Sequence, residues 1–453
     1  MLETPRPATE RARVAASAIA LFVVIAGPQA ARADALSVLG AGPAGVAEVN
    51  ARAARADDGM AAHLNPGGLG MGRGVRAEVS AMLGVSALSA QGKALPLADP
   101  FGVVIAFDAT VPFDGALRDR IRIGLAGYIP PASALHLIAR RSDEPLYPYY
   151  DNRTQRLVIV PAIAVRVSEA IAAGVAFNVL GGVSGPATVQ SGASRSPEAR
   201  LDLAARTALS INAGIRFDPS PRTRFALALR QRFAAPAAVD STAALAGTPL
   251  AISVATDSVL FDPTTIVAAT SLDLGRASFE IDASYAAWSA YDGPWVSVRA
   301  TLPGVDLTSA LPSSPARDVV SLRAAGSYRF DLGARSEVAI RAGLGFEPSM
   351  LKSSAQGRTN LLDGDKLLVG LGGSWVIRGA LPFALRVSLG ASMQWVSPYA
   401  QQKRVCAAAP CPGDTVSGPD TARPAEGITN AGYPRLEGRG ALFSTAFGLG
   451  MDL

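Results

Sequence analysis

Beyond its N-terminal segment, the sequence has no run of about 20 apolar residues, and this excludes a membrane-spanning helix. Charged residues are also scarce, at 17%, whereas hydrophobic residues make up 49% and the mean hydropathy is +0.25. The chain is therefore apolar on average without containing apolar blocks. That combination is typical of a membrane β-barrel, in which lipid-facing and lumen-facing residues alternate. A length of 453 residues is compatible with several soluble domains, but this composition predicts one large all-β unit.

Cysteine and histidine are nearly absent, with two of each in the whole sequence. Cys406 and Cys411 lie close together in a long Pro/Gly-rich segment, which predicts a local disulfide in an oxidising compartment. A metal pair is the alternative, although no nearby histidine or third cysteine completes a site. His63 and His136 show no zinc-binding spacing, and no G-x-S-x-G motif occurs. We therefore predict no catalytic residue, no metal site, no cofactor and no enzymatic activity.

The basic balance of the chain, a net charge of +5 with a pI of about 9.4, does not indicate nucleic-acid binding. Its basic residues are scattered and mostly arginine, whereas a nucleic-acid site needs them clustered.

The N-terminus indicates export. Arg11 and Arg13 precede the apolar run "VAASAIALFVVIAG", and the small residues of "AARADA" follow it. This pattern predicts a signal peptide at residues 1–33, cleaved after Ala33 or Ala35. A membrane-anchoring helix is the alternative, but the apolar run is short for one.

Period-two alternation, the pattern of a half-buried strand, recurs along the exported chain. In residues 277–287, Phe279 and Ile281 share one face, while Glu280 and Asp282 lie on the other. Fourteen segments of this kind have the length of a tilted membrane crossing. The predicted strands are residues 75–86, 100–111, 119–129, 154–167, 170–182, 203–217, 222–235, 263–274, 277–300, 318–331, 336–347, 366–378, 384–395 and 440–452.

The connections alternate between tight turns, such as "VSEA" and "LGRA", and long loops. An outer-membrane barrel has short periplasmic turns and long extracellular loops, and an even strand number returns the C-terminus to the periplasm. A soluble β-sandwich, the alternative, does not require this alternation. The long loops are predicted at residues 130–153, 183–202, 236–262, 301–317, 348–365 and 396–439.

The two faces of the predicted strands differ in character. The apolar face carries aromatic residues near strand ends, as in the interfacial girdles of membrane barrels. The opposite face is polar and rich in arginine, which predicts a solvated, salt-bridged lumen; guidance of an anionic head group is the alternative. The outward aromatic residues are Phe217, Tyr285, Phe330, Phe346, Trp375, Trp395, Phe443 and Phe447.

Residues 34–74 precede the first strand and are too polar for lipid contact. A barrel of about 14 strands has a lumen wider than its own side chains can fill, so an open barrel would leak small solutes. We therefore predict that this segment folds inside the lumen as a plug, with glycines that permit close approach to the wall. Asn65 before Pro66 favours an extended or turn geometry. Asp57 and Asp58 are predicted to pair with lumen arginines.

The stretch "GPAGVAEVNARAARADDGMAAHLNPGGLG" resembles the N-terminal hatch of the FadL family of outer-membrane transporters for long-chain fatty acids and other hydrophobic compounds. That hatch has a Gly/Ala-rich start, an A-x-A-D-D step and an NPAGL step. Gly67 stands where alanine is usual, a small departure. The hatch motif here comprises Arg55, Asp57, Asp58, Asn65, Pro66 and Gly67.

Later stretches resemble the same family in order and spacing, so the likeness covers essentially the whole mature chain. "LLDGDKLLVGLGGSW" is similar to a D-x-D-[RK] step at the start of a late strand, with Asp363, Asp365 and Lys366 at the motif positions. "NAGY" and "GRGALFSTAFGLG" resemble the last loop and strand. The terminal Leu453 replaces the aromatic residue usual in bacterial barrels, which weakens only the assembly signal.

The resemblance implies an all-β transmembrane antiparallel β-barrel of about 14 strands with a hatch in the lumen. It also implies that ligand enters from the external loops, binds beside the hatch N-terminus and leaves sideways through a break in the third strand. Gly124 and Gly127 in "DRIRIGLAGYIP" are the candidate lateral gate, because glycine weakens a strand interior. Ordinary glycines of a barrel wall are the alternative.

The sequence thus predicts a signal peptide (residues 1–33), a hatch (34–74) and a barrel with long extracellular loops (75–453). The expected function is uptake of hydrophobic molecules, foremost long-chain fatty acids, by a monomer in the outer membrane of a Gram-negative bacterium. Its expected partners are those molecules, outer-membrane lipid and lipopolysaccharide. Alternatives are a transporter of aromatic hydrocarbons or other apolar compounds, a general diffusion porin, a structural or adhesive barrel, and an outer-membrane lipase.

Overall fold

The chain folds as an antiparallel barrel preceded by short helices, as seen in a computed structural model. Within the described residues, no helix is both long and apolar enough to cross a membrane. The structure describes residues 35–95, 101–131, 144–150, 153, 156–184, 187–191, 197–201, 204–245, 248–293, 297–302, 305–308, 315–352, 360–379, 381–402 and 435–453.

Helices and strands are numbered along the chain. The helices are α1 Ala35–Leu39, α2 Gly42–Ala47, α3 Ala61–Leu64 and α4 Pro66–Leu69, with 3-10 turns at Gly115–Leu117 and Trp288–Ala290. The strands are β1 Val75–Ser86, β2 Ser89–Ala90, β3 Lys93–Ala94, β4 Phe101–Thr110, β5 Ile121–Ile129, β6 Val158–Arg166, β7 Ile171–Ser184, β8 Ala187–Ser191, β9 Pro197–Leu201, β10 Ala204–Phe217, β11 Thr223–Arg230, β12 Phe233–Leu245, β13 Thr248–Asp262, β14 Thr265–Leu274, β15 Ala277–Ala286, β16 Ser297–Leu302, β17 Val305–Thr308, β18 Val319–Asp331, β19 Ser336–Glu347, β20 Lys366–Ile377, β21 Ala384–Gln402 and β22 Arg435–Asp452.

Fourteen of these strands form the barrel wall, and the wall is closed because β1 pairs with both β4 and β22. At the closing seam the register runs from Arg76 opposite Asp452 to Ser86 opposite Leu442. Closure removes the unpaired sheet edge that lipid could not satisfy. The order around the wall is β1, β4, β5, β6, β7, β10, β11, β14, β15, β18, β19, β20, β21 and β22. The predicted fold class is confirmed.

The two ends of the wall meet where the turns are short. The Val75 amide donates to the Leu453 carbonyl over 3.2 Å, and the Leu453 amide donates to the Val75 carbonyl over 2.8 Å. Because successive wall strands are antiparallel, the long connections all lie at the opposite end. The even strand number therefore places the C-terminus at the short-turn end, as the sequence predicted.

The wall turns its apolar face outward. On β15, Phe279 and Ile281 are 53% and 57% exposed, whereas Glu280 between them is 1% exposed. All eight aromatic residues assigned to the outward face are exposed. A strand with this alternation presents apolar side chains to lipid and polar ones to the lumen.

Several predicted boundaries were wrong. The strand predicted at residues 277–300 ends at Ala286, because Trp288 turns inward into a buried aromatic cluster and the Asp318 carboxylate accepts from the Ser289 amide over 2.8 Å. The strand predicted at 222–235 ends at Arg230.

The loop predicted at residues 236–262 contains most of a hairpin, β12–β13, which joins β16 and β17 in a separate four-stranded sheet. The prediction of a loop at residues 236–262 was therefore wrong, because most of these residues pair with one another as β12 and β13. The predicted signal peptide, His136, Cys406 and Cys411 lie outside the described residues, so the disulfide stays a prediction.

The N-terminal segment, residues 35–74, crosses the lumen. Helix α2 contacts β19, β20, β21, β22 and β1, whereas α4 contacts β5, β6, β7, β10 and β11. These two groups of strands lie on opposite sides of the closed wall. A segment that touches both must run through the interior of the barrel.

Candidate functional site: the lumen around the N-terminal segment

Two asparagines shape the backbone of the N-terminal segment. Asn50 has a positive φ of 63°, a conformation that asparagine tolerates better than most residues. Its amide group donates to the Leu36 carbonyl over 3.0 Å and its oxygen accepts from the Ala41 amide over 2.9 Å. These bonds hold α1 against the start of α2.

Asn65 is extended, with φ −158° and ψ 100°, and it caps α4. Its side-chain oxygen accepts from the Gly67 amide over 3.1 Å, and Pro66 follows at the first helical position, where its missing amide hydrogen is not needed. The Asn65 amide group donates to the Ala53 carbonyl over 2.9 Å and to the Ile215 carbonyl of β10 over 3.3 Å. One side chain therefore joins two parts of the segment to the wall.

Gly67 packs directly on the backbone of β10. A methyl group at Gly67 would lie 2.7 Å from the Gly214 carbonyl oxygen, and one at Gly214 would lie 1.9 Å from the Asn65 side-chain oxygen. Both distances are far below van der Waals contact. The close approach leaves no room for a side chain at Gly67, where the resemblance implies an alanine.

Arg55 ties the segment to the wall at β15. Its Nε donates to the Glu280 carboxylate of β15 over 2.7 Å, and its Nη1 lies 3.1 Å from a Glu48 oxygen. Glu280 also accepts from the Ala54 amide over 2.6 Å. Both acids are buried, so the arginine and the backbone amide supply the hydrogen bonds that water would otherwise provide.

Asp57 pairs with a lumen arginine, as the sequence predicted. Arg76 of β1 lies 3.0 Å from the Asp57 carboxylate and 3.1 Å from that of Asp108 on β4. Arg122 of β5 contacts the same buried Asp108 carboxylate. This chain of alternating charges fastens the segment to three consecutive wall strands.

Asp58 pairs within the segment and not with a wall arginine, contrary to the expectation for this residue. Its carboxylate lies 3.3 Å from Arg52, which in turn lies 3.0 Å from Glu48. Burial alone would raise the pKa of Asp58, but the charges of Arg52 and Arg76 outweigh it and lower the pKa to about 2. The pair therefore stays charged across the physiological range.

A cavity of about 90 Å³ lies between the N-terminal segment and the long-loop end of the barrel. Apolar atoms of Leu64, Val319 and Trp288 line one part of it, and polar groups line the rest. A pocket of this kind can hold an apolar group against an aromatic ring while polar groups orient the other end. The polar lining includes Ser37, Asn50, His63, Arg153, Arg230, Asp262, Asp282, Arg323 and Glu347.

Buried aromatic residues form the outer side of this cavity. The ring centroid of Trp288 lies 5.9 Å from that of Tyr149 and 5.7 Å from that of Phe261. Burial, and then the nearby Glu347 carboxylate, raise the pKa of Tyr149, so its hydroxyl stays protonated. Arg153 stacks over Tyr149 at 4.9 Å and pairs with Asp262 over 2.7 Å.

The two predicted gate glycines lie in an unbroken part of the wall. Strand β5 pairs with β4 from Arg122 to Ile129 and with β6 from Ile121 to Tyr128, which includes Gly124 and Gly127. Gly124 instead makes room for Leu69 of the N-terminal segment, because a methyl group there would lie 2.7 Å from a Leu69 methyl carbon. Exit at this strand thus requires the pairing to open, and stays a prediction.

Sequence reasoning missed the residues at the outer side of the cavity. Tyr149 and Arg153 lie in a loop predicted to be extracellular, and their burial depends on contacts with residues far away in the chain. One signal was present: "LYPYY" puts three tyrosines in five residues, which is unusual for a solvated loop. In the described part of the chain, no group of three or more His, Cys, Asp or Glu side chains is placed to hold a metal ion.

The fold and the lumen define a class of protein: a closed fourteen-stranded barrel whose interior is crossed by its own N-terminal segment. The chain is similar in structure to a Pseudomonas aeruginosa FadL homologue, with a TM-score of 0.56 and 13% identity over 94% of this chain and 99% of that one. It is also similar to the CymD monoaromatic hydrocarbon channel, with a TM-score of 0.52 and 12% identity over 92% of this chain and 98% of that one.

A further similar structure is that of the P. putida toluene transporter TodX, with a TM-score of 0.50 and 11% identity over 87% of this chain and 94% of that one. No family model matches the sequence, and no curated protein sequence matches it. The fold is therefore that of the FadL-type barrels, and the resemblance seen in the sequence is confirmed at the level of the fold.

Proposed function

We propose that this protein is an outer-membrane channel of a Gram-negative bacterium that takes up hydrophobic small molecules. In this proposal residues 1–33 are the cleaved signal peptide, residues 34–74 are a hatch and residues 75–453 are the membrane-spanning barrel with extracellular loops. The apolar exterior of a closed barrel suits a bilayer, and its FadL-type fold supports the class of transporter.

The observation that carries the proposal is the obstruction of the lumen. Residues 35–74 touch both sides of the wall and are held by buried pairs such as Arg55 with Glu280. A general diffusion porin needs an aqueous path through its barrel. A barrel whose lumen is filled by a tightly held segment favours a route with a binding step, beside that segment, over free diffusion of polar solutes.

Two substrate classes fit the proposal equally. Long-chain fatty acids are one, since the sequence resembles a fatty-acid transporter family and a FadL homologue is structurally similar. Monoaromatic hydrocarbons are the other, since CymD and TodX are similar too. Both are apolar, so both gain by leaving water for a dry pocket and then for lipid, at roughly 25 cal/mol per Å² of apolar surface.

In the proposed route the transported molecule leaves the barrel through its wall and enters the membrane. An apolar molecule released into the membrane avoids the aqueous periplasm, so a lateral exit through the wall near β5 completes the route. The protein acts as a monomer in contact with outer-membrane lipid and lipopolysaccharide.

Identification of co-purified molecules tests the proposal most directly. The full-length protein, purified in two unrelated detergents, should yield extractable fatty acids or aromatic hydrocarbons by mass spectrometry, above the amounts extracted from an unrelated barrel prepared in parallel. Cells that express it should take up the identified compound faster than cells that carry an empty vector. Large, steady openings in a planar bilayer, without bound apolar molecules, would instead favour a general porin.

A further inference from the structure

A short part of the β5–β6 connection, residues 146–150, lies across the lumen on the outer side of the cavity. The Tyr149 hydroxyl donates to the Glu347 carboxylate at the end of β19 over 3.2 Å. The Tyr150 hydroxyl reaches the Gln394 side-chain oxygen on β21 at 3.5 Å. Because β19 lies across the barrel from β5 and β6, the contact of Tyr149 with Glu347 reaches over the opening.

Tyr149 is held between two cations. The Lys366 ammonium lies 4.1 Å from the ring centroid and the Arg153 guanidinium lies 4.9 Å from it. Lys366 is fully buried and paired with Asp363 over 2.8 Å, so the Asp363 carboxylate, and not water, compensates its charge. Lys366 and Asp363 belong to the D-x-D-[RK] motif, which otherwise has no part in the proposed route.

The backbone of the crossing is paired as well. The Leu146 amide donates to the Asn360 carbonyl over 3.1 Å, and the Leu362 amide donates to the Leu146 carbonyl over 2.8 Å. None of residues 146–150 is charged, so their displacement leaves no buried ion without its partner. By contrast, the N-terminal segment is fixed to the wall by buried ion pairs, so residues 146–150 are the part that can move without separating an ion pair.

The cavity below this crossing can hold one apolar group, but it is too small for a whole aromatic hydrocarbon as it stands. Its volume is about 90 Å³, whereas a cavity that accepts benzene measures about 150 Å³. Tyr149 and Arg153 form part of its lining. Displacement of the crossing would both enlarge the cavity and open it toward the long loops.

We propose that residues 146–150 form an outer gate over the cavity and that Tyr149, held between Lys366 and Arg153, is its latch. The identity of what passes the gate rests on the proposed function, but the gate itself does not. Its tests therefore use a thiol reagent and a cross-link, and they can fail while the transport proposal stands.

The first test measures access to the cavity. A Ser284→Cys reporter, which lines the cavity, is placed in a Cys406→Ser, Cys411→Ser background. A membrane-impermeant thiol reagent is added outside intact cells. Loss of one desolvated cation–ring contact suffices to shift a two-state equilibrium by about tenfold, so Tyr149→Ala should speed modification by about that factor.

The matched control is Tyr328→Ala, which removes an exposed tyrosine from the outward face of β18 and should leave the rate unchanged. Tyr149→Leu keeps apolar volume without a ring and should also speed modification, and it takes the place of Tyr149→Ala if that variant does not fold. Equal rates for the parent and a Tyr149 variant, with barrel folding verified by heat-modifiable mobility, would overturn the latch.

The second test measures closure directly. Leu146 and Leu361 are paired in a parallel bridge, so Leu146→Cys with Leu361→Cys should form a disulfide in the same cysteine-free background. Adding Tyr149→Ala should slow the oxidation by a similar factor, because the gate is then open more of the time. Absence of the cross-link in the parent, or an unchanged rate with Tyr149→Ala, would contradict the proposal.

Discussion

Buried ion pairs decide, residue by residue, how the N-terminal segment meets the wall. Arg55 satisfies Glu280 and Glu48, both of which are almost fully buried. A buried pair of this kind adds little over an apolar pair, but removal of one partner leaves an uncompensated charge. Loss of either partner of the Arg55–Glu280 pair is therefore expected to disfavour the docked position of the segment.

The first prediction concerns Arg55. Arg55→Ala should lower the free energy of unfolding in detergent by about 3–5 kcal/mol, because Glu280 and Glu48 lose a charged donor in a buried site. Guanidinium unfolding followed by tryptophan fluorescence measures it. Arg276→Ala is the control, since Arg276 and Asp331 form an exposed pair, and it should cause almost no loss. Equal effects at the two sites would refute the buried-pair account.

The second prediction concerns Asp58 and pH. Its folded-state pKa is lowered from 3.8 to about 2, so its contribution is complete above the unfolded pKa and is lost as the pH falls from about 4 to 2. The stability difference between wild type and Asp58→Asn should be constant near neutrality and shrink by roughly 2 kcal/mol over that window. Denaturant titrations at several pH values measure it, and a pH-independent difference would argue against the assignment.

At the scale of elements, strand β5 is the proposed place of lateral exit. It pairs with both neighbours through Gly124 and Gly127, and Leu69 packs on Gly124. A gap there must come from separation of β5 from β4 or β6. If the N-terminal segment moved, Leu69 would leave the inner face of β5. A movement of the segment would therefore be felt at this strand.

The third prediction tests that separation. Ile123→Cys with Ile163→Cys should cross-link β5 to β6, since antiparallel partners lie within disulfide reach. In a Cys406→Ser, Cys411→Ser background, oxidation should reduce uptake of the identified compound and reductant should restore it. Ala283→Cys with Leu322→Cys joins β15 to β18 and is the matched control, with no expected effect. Normal uptake by oxidised β5–β6 protein would rule out exit between these two strands.

At the scale of the whole molecule, we propose that the barrel and the N-terminal segment form one permeability barrier. Residues 35–74 contact both sides of the wall, and a wide barrel without such a segment would leave an aqueous path. The barrel is closed by pairing of β1 with β22, independently of the segment. The wall is therefore expected to survive the loss of the segment while the barrier is not.

The fourth prediction follows from this division. Deletion of residues 36–70 should give a protein that still inserts and shows heat-modifiable mobility, yet conducts ions in planar bilayers much more freely than wild type. Unchanged conductance in a correctly folded deletion protein would mean that the segment does not close the lumen.

The sequence by itself determined the wall. Alternation with a period of two reveals which residues face lipid, and a one-residue slip would expose Glu280 and Asp282 in place of Phe279 and Ile281, so the pattern specifies strand position and register strongly. Most of the fourteen predicted strands lie within a few residues of those observed. Prediction failed at the ends, as at Ala286, where a buried tertiary contact of Trp288 ends the strand.

Only the tertiary structure determined which residues meet in the lumen. Arg55 and Glu280 are 225 residues apart in the chain, and Tyr149 meets Glu347 across 198 residues. No local pattern records such contacts, because burial inside a barrel depends on which strands close it and on what crosses the interior. The sequence therefore specified the barrel and the N-terminal motif. It did not specify the pairing of Asp58 with Arg52, the unbroken β5 or the crossing at residues 146–150. These features depend on closure of the wall, which brings distant polar residues together in a space where water cannot satisfy them.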